Sequence, residues 1–132
     1  MYGSIFWVEW LDRLDRVLTS TRQDVAALNR AASPRKVAAL ERAKRQLTAL
    51  SNDLRLLDRT VLVAQDAEPA SDITDHLQKA LDTAVVRLDN LADVQPAVAP
   101  SVREQALAAI DTALRDSRYE AAMLLEPTRR RA

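Results

Sequence analysis

The sequence predicts an all-α protein, an antiparallel four-helix bundle whose first two helices are long and coiled-coil-like. Three features point there: leucine-rich seams recurring every three or four residues, prolines that fall between those seams, and a single glycine. Apolar residues at that spacing line one face of a helix. Proline lacks the N–H that a helix interior uses, so it marks helix starts. With Gly3 as its one glycine, the chain has little with which to build the positive-φ turns of a β-protein or the phosphate-cradling loop of a nucleotide site.

Prolines at 34, 69, 96 and 100 divide the chain into four helical stretches. The first, about residues 4–31, has Trp7, Leu11, Leu14, Leu18, Thr21, Val25, Leu28 and Ala32 on its seam. The second, about 35–65, has Leu40, Ala43, Leu47, Leu50, Leu54, Leu57, Val61 and Ala64. Spacing of this kind is the a/d seam of a long bundle helix. Continued past Ala32, the first seam would land on Ala39 instead of Leu40. This one-residue slip falls at "AASPRK", where Ser33 suits a cap and Pro34 a first helical position, so the chain is expected to reverse there. One helix kinked at residues 31–34 is the alternative. The third stretch follows "DAEPASD", capped by Ser71 or Asp72, and runs to about residue 93 with Leu77, Leu81, Ala84, Leu88 and Leu91 on its seam. The fourth opens on a capping box, Ser101 with Glu104, and carries Leu107, Ile110, Leu114, Ser117, Ala121 and Leu124. Residues 1–125 are expected to form one bundle domain and 126–132 a disordered tail.

Composition narrows the function. Nineteen basic and nineteen acidic residues cancel, which disfavours a general polyanion binder. The chain has no cysteine, hence no thiol nucleophile, disulfide or thiolate metal site, and its one histidine is His76. Paired carboxylates are missing from the predicted seams, so no inward di-metal or glycosidase-like pair is expected. The sequence therefore predicts a protein that is not an enzyme, with no cofactor, no metal and no small-molecule substrate.

Four of the five aromatic residues, Tyr2, Phe6, Trp7 and Trp10, fall within the first eleven positions. Trp7 shares the face of Leu11, Leu14 and Leu18, with Trp10 at its edge, and core is the simplest place for both rings. Ile5, Phe6, Val8 and Tyr2 point elsewhere, so this tip is apolar on nearly every side and needs a cover. The run is too short to cross a membrane, since Glu9 and Asp12 interrupt it, and no basic residue precedes it as in a signal peptide. Those acids also oppose an anionic lipid surface. Tyr2, Ile5, Phe6, Trp7 and Trp10 are the predicted partner-binding set.

Arg30, Arg35, Lys36, Arg42, Lys44 and Arg45 stand against one acid, Glu41. Arg35 and Lys36 occupy a first helical turn, where the macrodipole disfavours cations, and such a conflict points to a use. Arg30, Arg35, Lys36, Arg42 and Arg45 are therefore the candidate contacts for an anion or nucleic acid. In "DITDHLQKAL", the trio His76, Lys79 and Ala80 resembles the His-containing phosphotransfer domain, a helical bundle with an exposed histidine, a lysine three residues on and then a small residue. The resemblance covers those three positions and implies phosphotransfer through His76. The glycines near that family's histidine are absent here.

The leading expectation is a cytoplasmic helical adaptor that docks on a protein, most simply as a homodimer, through its aromatic first turns. A nucleic-acid-contacting regulator using the basic 30–45 turn comes second, and phosphotransfer through His76 third.

Overall fold

The protein is described by a computed structural model that covers the backbone of residues 2–64 and 68–131 and the side chains of residues 8–56 and 74–124. The described backbone is all-helical: α1 (Tyr2–Arg30), α2 (Pro34–Ala64), α3 (Glu68–Asp89), a 3-10 turn (Leu91–Val94) and α4 (Pro100–Arg131). Helix α1 packs against α2 and α4, and α3 packs against the same two. Numbers on paired helices run in opposite senses. Asp15 and Arg22 of α1 meet Arg118 and Asp111 of α4, while Lys44 and Arg55 of α2 meet Asp89 and Asp82 of α3.

The predicted seams supply the core. Leu11, Leu14, Leu18, Leu28, Leu40, Leu47, Leu54, Leu77, Leu81 and Leu88 are wholly buried, and each contributes on the order of 2 kcal/mol by leaving water. Leu107, Ile110, Leu114, Ala121 and Leu124 complete the wall from α4. Leu57, Val61, Ala64 and Trp7 lie outside the described side chains. Val37, Val94 and Ala113 join the core without belonging to any predicted seam.

The chain reverses at residues 31–34. Arg13 and Asp53, which would stand about 60 Å apart along one continuous helix, approach to 3.6 Å. The Ser33 carbonyl accepts from the N–H groups of Lys36 and Val37 at 3.1 Å, and its hydroxyl accepts from Lys36 N–H at 3.3 Å. Pro34 takes the first helical position, where a missing N–H costs nothing. Lys36 then swings back across the turn, its Nζ donating to the carbonyls of Ala31 at 2.6 Å and Ala27 at 3.3 Å. A cation unfavourable at the start of α2 is thus favourable at the end of α1, whose last carbonyls carry negative partial charge. Lys36→Ala is expected to lower stability by about 0.5–1 kcal/mol, read as a small drop in thermal midpoint, whereas exposed Arg35→Ala is expected to leave it unchanged.

Four helix ends differ from the sequence expectation. Helix α3 starts at Glu68, so Ser71 and Asp72 lie inside it instead of capping it. Pro69 stands in a first turn whose N–H groups have no intrahelical acceptor in any case. The same helix stops at Asp89, four residues early, because Asn90 leaves helical geometry and Gln95, held extended by the proline after it, cannot restore it. Leu91 and Val94 still reach the core through the 3-10 turn. Helix α4 begins at Pro100, with the Ala99 carbonyl accepting from Arg103 N–H at 3.1 Å, so Ser101 lies in the first turn and not at the cap. At the other end its backbone stays helical to Arg131, past the 125/126 boundary where a disordered tail was expected. Pro127 forfeits one ladder bond near the end of the helix, too little to stop it there.

Candidate interaction surface

Two ion pairs orient the aromatic start of the chain. Arg13–Asp53 and Arg118–Asp15 set the first turns of α1 beside the last turns of α2 and α4, at the end of the molecule opposite the 31–34 turn. Of the predicted partner-binding residues, Trp10 is 3% exposed and belongs to the core. Its position on the wheel, at the edge of the Leu11–Leu14–Leu18 face, is enough to bring it into the core cluster. The side chains of Tyr2, Ile5, Phe6 and Trp7 lie outside the described residues.

On α2 and α4 stand exposed apolar side chains that the seams do not use. Tyr119 is 63% exposed, Met123 44% and Leu56 79%. Tyr119 and Met123 are one turn apart on the outside of α4. Both were legible as candidates, since Tyr119 is the fifth aromatic residue and sits off the Leu114–Ser117–Ala121–Leu124 seam, yet density of rings drew attention to the N-terminus alone. Below Tyr119 lies an open cleft of about 600 Å³ between α1 and α4, lined by Asp15, Arg22, Arg115, Asp116 and Arg118. Two of its three guanidinium groups are already engaged, Arg22 Nε with Asp111 at 2.9 Å and Arg118 Nε with Asp15 at 3.0 Å. The cleft is thereby close to charge balance.

The basic run does not form one patch. Lys36 is committed to the α1 C-terminus and Lys44 to Asp89. Arg30, Arg35, Arg42 and Arg45 are exposed and make no ion pair among the described residues. His76 is exposed on α3, with exposed Lys79 one turn on and half-buried Ala80 beside it. Gln78, between them, faces inward and donates to Ser51 Oγ at 2.6 Å. Among the described residues no three His, Cys, Asp or Glu side chains cluster as metal ligands would, and no helix is long and apolar enough to cross a membrane.

The polar contact that sequence reading missed lies between α2 and α3. Ser51, 2% exposed, accepts from Gln78 and donates to Asp82 Oδ1 at 2.7 Å, while Arg55 Nη2 grips both Asp82 oxygens at 2.8 Å. A hydroxyl inside a leucine seam is affordable only when both its roles are filled. No known protein family, curated protein or solved structure matches this chain.

Proposed function

We propose that the chain is an antiparallel four-helix bundle that works by binding protein, in the simplest case a second copy of itself, through the end carrying the first turns of α1. Oppositely running ion pairs on α1–α4 and α2–α3 support the antiparallel arrangement, and the three–four seams of α1 and α2 support coiled-coil-like packing. The single observation that carries the binding role is the crowding of four of the five aromatic residues into the first turns of α1, with Leu56, Tyr119 and Met123 left exposed on the two helices that pack against α1. Ile5, Phe6, Trp7 and Val8 are four consecutive apolar residues. On a helix they spread over about 300°, more than one core-facing stripe can absorb. An apolar stretch wider than one stripe calls for a cover from outside the bundle, as at an association site.

The test is sedimentation of the wild type and of Phe6→Asp over a hundredfold range of concentration. By helical spacing Phe6 falls off the face of Leu11, Leu14 and Leu18, so the variant is expected to keep its helical circular dichroism and sediment as a monomer where the wild type associates. A wild type that is monomeric throughout, and retains no protein partner that Phe6→Asp releases, would refute the reading.

A further inference from the structure

Between Pro34 and Asn52, helix α2 carries five cations, Arg35, Lys36, Arg42, Lys44 and Arg45, against one acid, Glu41. The fold sorts them by type. Both lysines are committed within the molecule, Lys36 to the carbonyls that end α1 and Lys44 to Asp89 of α3. The three arginines are exposed and make no ion pair among the described residues. They also share one row. Spacing by threes and fours places Arg35, Ala38, Arg42, Arg45, Ala49 and Leu56 along a single face of α2, away from the buried Leu40, Leu47 and Leu54. Ala38 on this face is half-buried, the others are exposed, and Leu56 is 79% exposed. The row is about 30 Å long, with the arginines in its first half and the apolar side chains in its second.

We propose that this row docks an acidic amphipathic helix of another protein, with carboxylates on Arg35, Arg42 and Arg45 and an apolar residue over Ala49 and Leu56. A guanidinium grips a carboxylate through two parallel hydrogen bonds, and three guanidinium groups in line, engaged by no acid among the described residues, offer that grip to an incoming anion. A second helix repeats its side chains with the same rise, so acids three or four residues apart meet Arg42 and Arg45 together. Ala38 and Ala49, set between the long side chains, let the second backbone come close. A nucleic-acid backbone would use only the arginine half of the row and leave Leu56 in water. The equal numbers of acids and bases in the chain give such a polyanion no long-range attraction either. The proposal goes beyond the α1 end: it uses the outer face of α2, and either site can hold without the other.

The probe is a fluorescently labelled synthetic peptide of about three heptads, with Glu at two successive seam positions and Leu at the next. Its binding to the full-length chain is followed by anisotropy, and every chain carries Phe6→Asp so that the aromatic start does not contribute. Arg42→Glu with Arg45→Glu is expected to weaken binding about tenfold and Leu56→Asp about threefold. Arg115→Glu, at an exposed arginine of α4, is expected to change it less than about twofold. The same peptide with Gln in place of every Glu is expected to bind about tenfold more weakly. The substituted positions are exposed, so the variants should keep the parent's melting transition. Should the double reversal fail to fold, Arg42→Gln with Arg45→Gln replaces it, with an expected loss of about threefold. A peptide that does not bind, or that Arg115→Glu weakens as much as the Arg42 and Arg45 changes do, overturns the proposal. So does a short DNA duplex that binds more tightly than the peptide and is indifferent to Leu56→Asp, since the row would then be a nucleic-acid contact.

Discussion

Trp10→Asp is expected to remove the cooperative thermal transition altogether, with loss of most of the helical circular dichroism at 25 °C. Trp10 is 3% exposed and packs with the leucines of the core. Deleting a ring of that size leaves a cavity costing about 3–5 kcal/mol. Burying an unpaired carboxylate in its place adds several more. Together these match or exceed the whole stability of a domain this size, about 5–15 kcal/mol. Exposed Glu9→Ala, one residue away, is expected to change stability by no more than about 0.5 kcal/mol. A Trp10→Asp protein that stays folded and merely stops associating would return Trp10 to the docking surface and take it out of the core.

Asp82→Ala is expected to lower the melting temperature by about 5–10 °C, roughly 1–3 kcal/mol, through the groups it strands. Ser51 Oγ, buried in the α2–α3 seam, loses the acceptor of its proton, and Gln78 and Arg55 each lose a partner. Ser51→Ala removes the hydroxyl itself and leaves Asp82 bonded to Arg55 and Gln78, so its cost should be the smaller of the two. Asp89→Ala breaks the pair with Lys44 where the carboxylate is 58% exposed, and is expected to cost less than about 1 kcal/mol. Equal losses for Asp82→Ala and Asp89→Ala would show that the Ser51 contact contributes nothing beyond a surface ion pair.

Much of the fold was readable because burial of leucine repeats with the helix itself. Leu11, Leu14 and Leu18, or Leu107, Ile110 and Leu114, announce their face within a few turns, and all are buried. Helix ends were less legible. Glu68 and Pro100 begin helices within a few residues of where Ser71, Asp72 and Ser101 suggested, because competing caps differ by only about 1 kcal/mol. At the candidate site, the sequence marked the aromatic start but placed Trp10 on both sides of the question, core and partner. It passed over Tyr119 and Met123, which lie off the α4 seam but far along the chain from the other rings.

The basic run shows the division most clearly. Lys36 in a first turn reads as an anomaly along the chain, and its resolution is the C-terminus of the preceding helix, brought within 2.6 Å by the reversal. Asp82 is one acid among seven between residues 66 and 93 until α3 is laid against α2, where it meets a serine 31 positions away. Arg22 and Asp111 are separated by 89 positions. By itself the sequence determined the helices and their buried faces, since apolar burial follows a local period and tolerates small shifts of register, but it left a kink at 31–34 open until the Arg13–Asp53 contact showed the reversal. Only the tertiary structure decided which polar groups pair and which side chains stay exposed, because a hydrogen bond or ion pair requires groups remote in sequence to meet within about 3 Å, a condition that no local pattern carries.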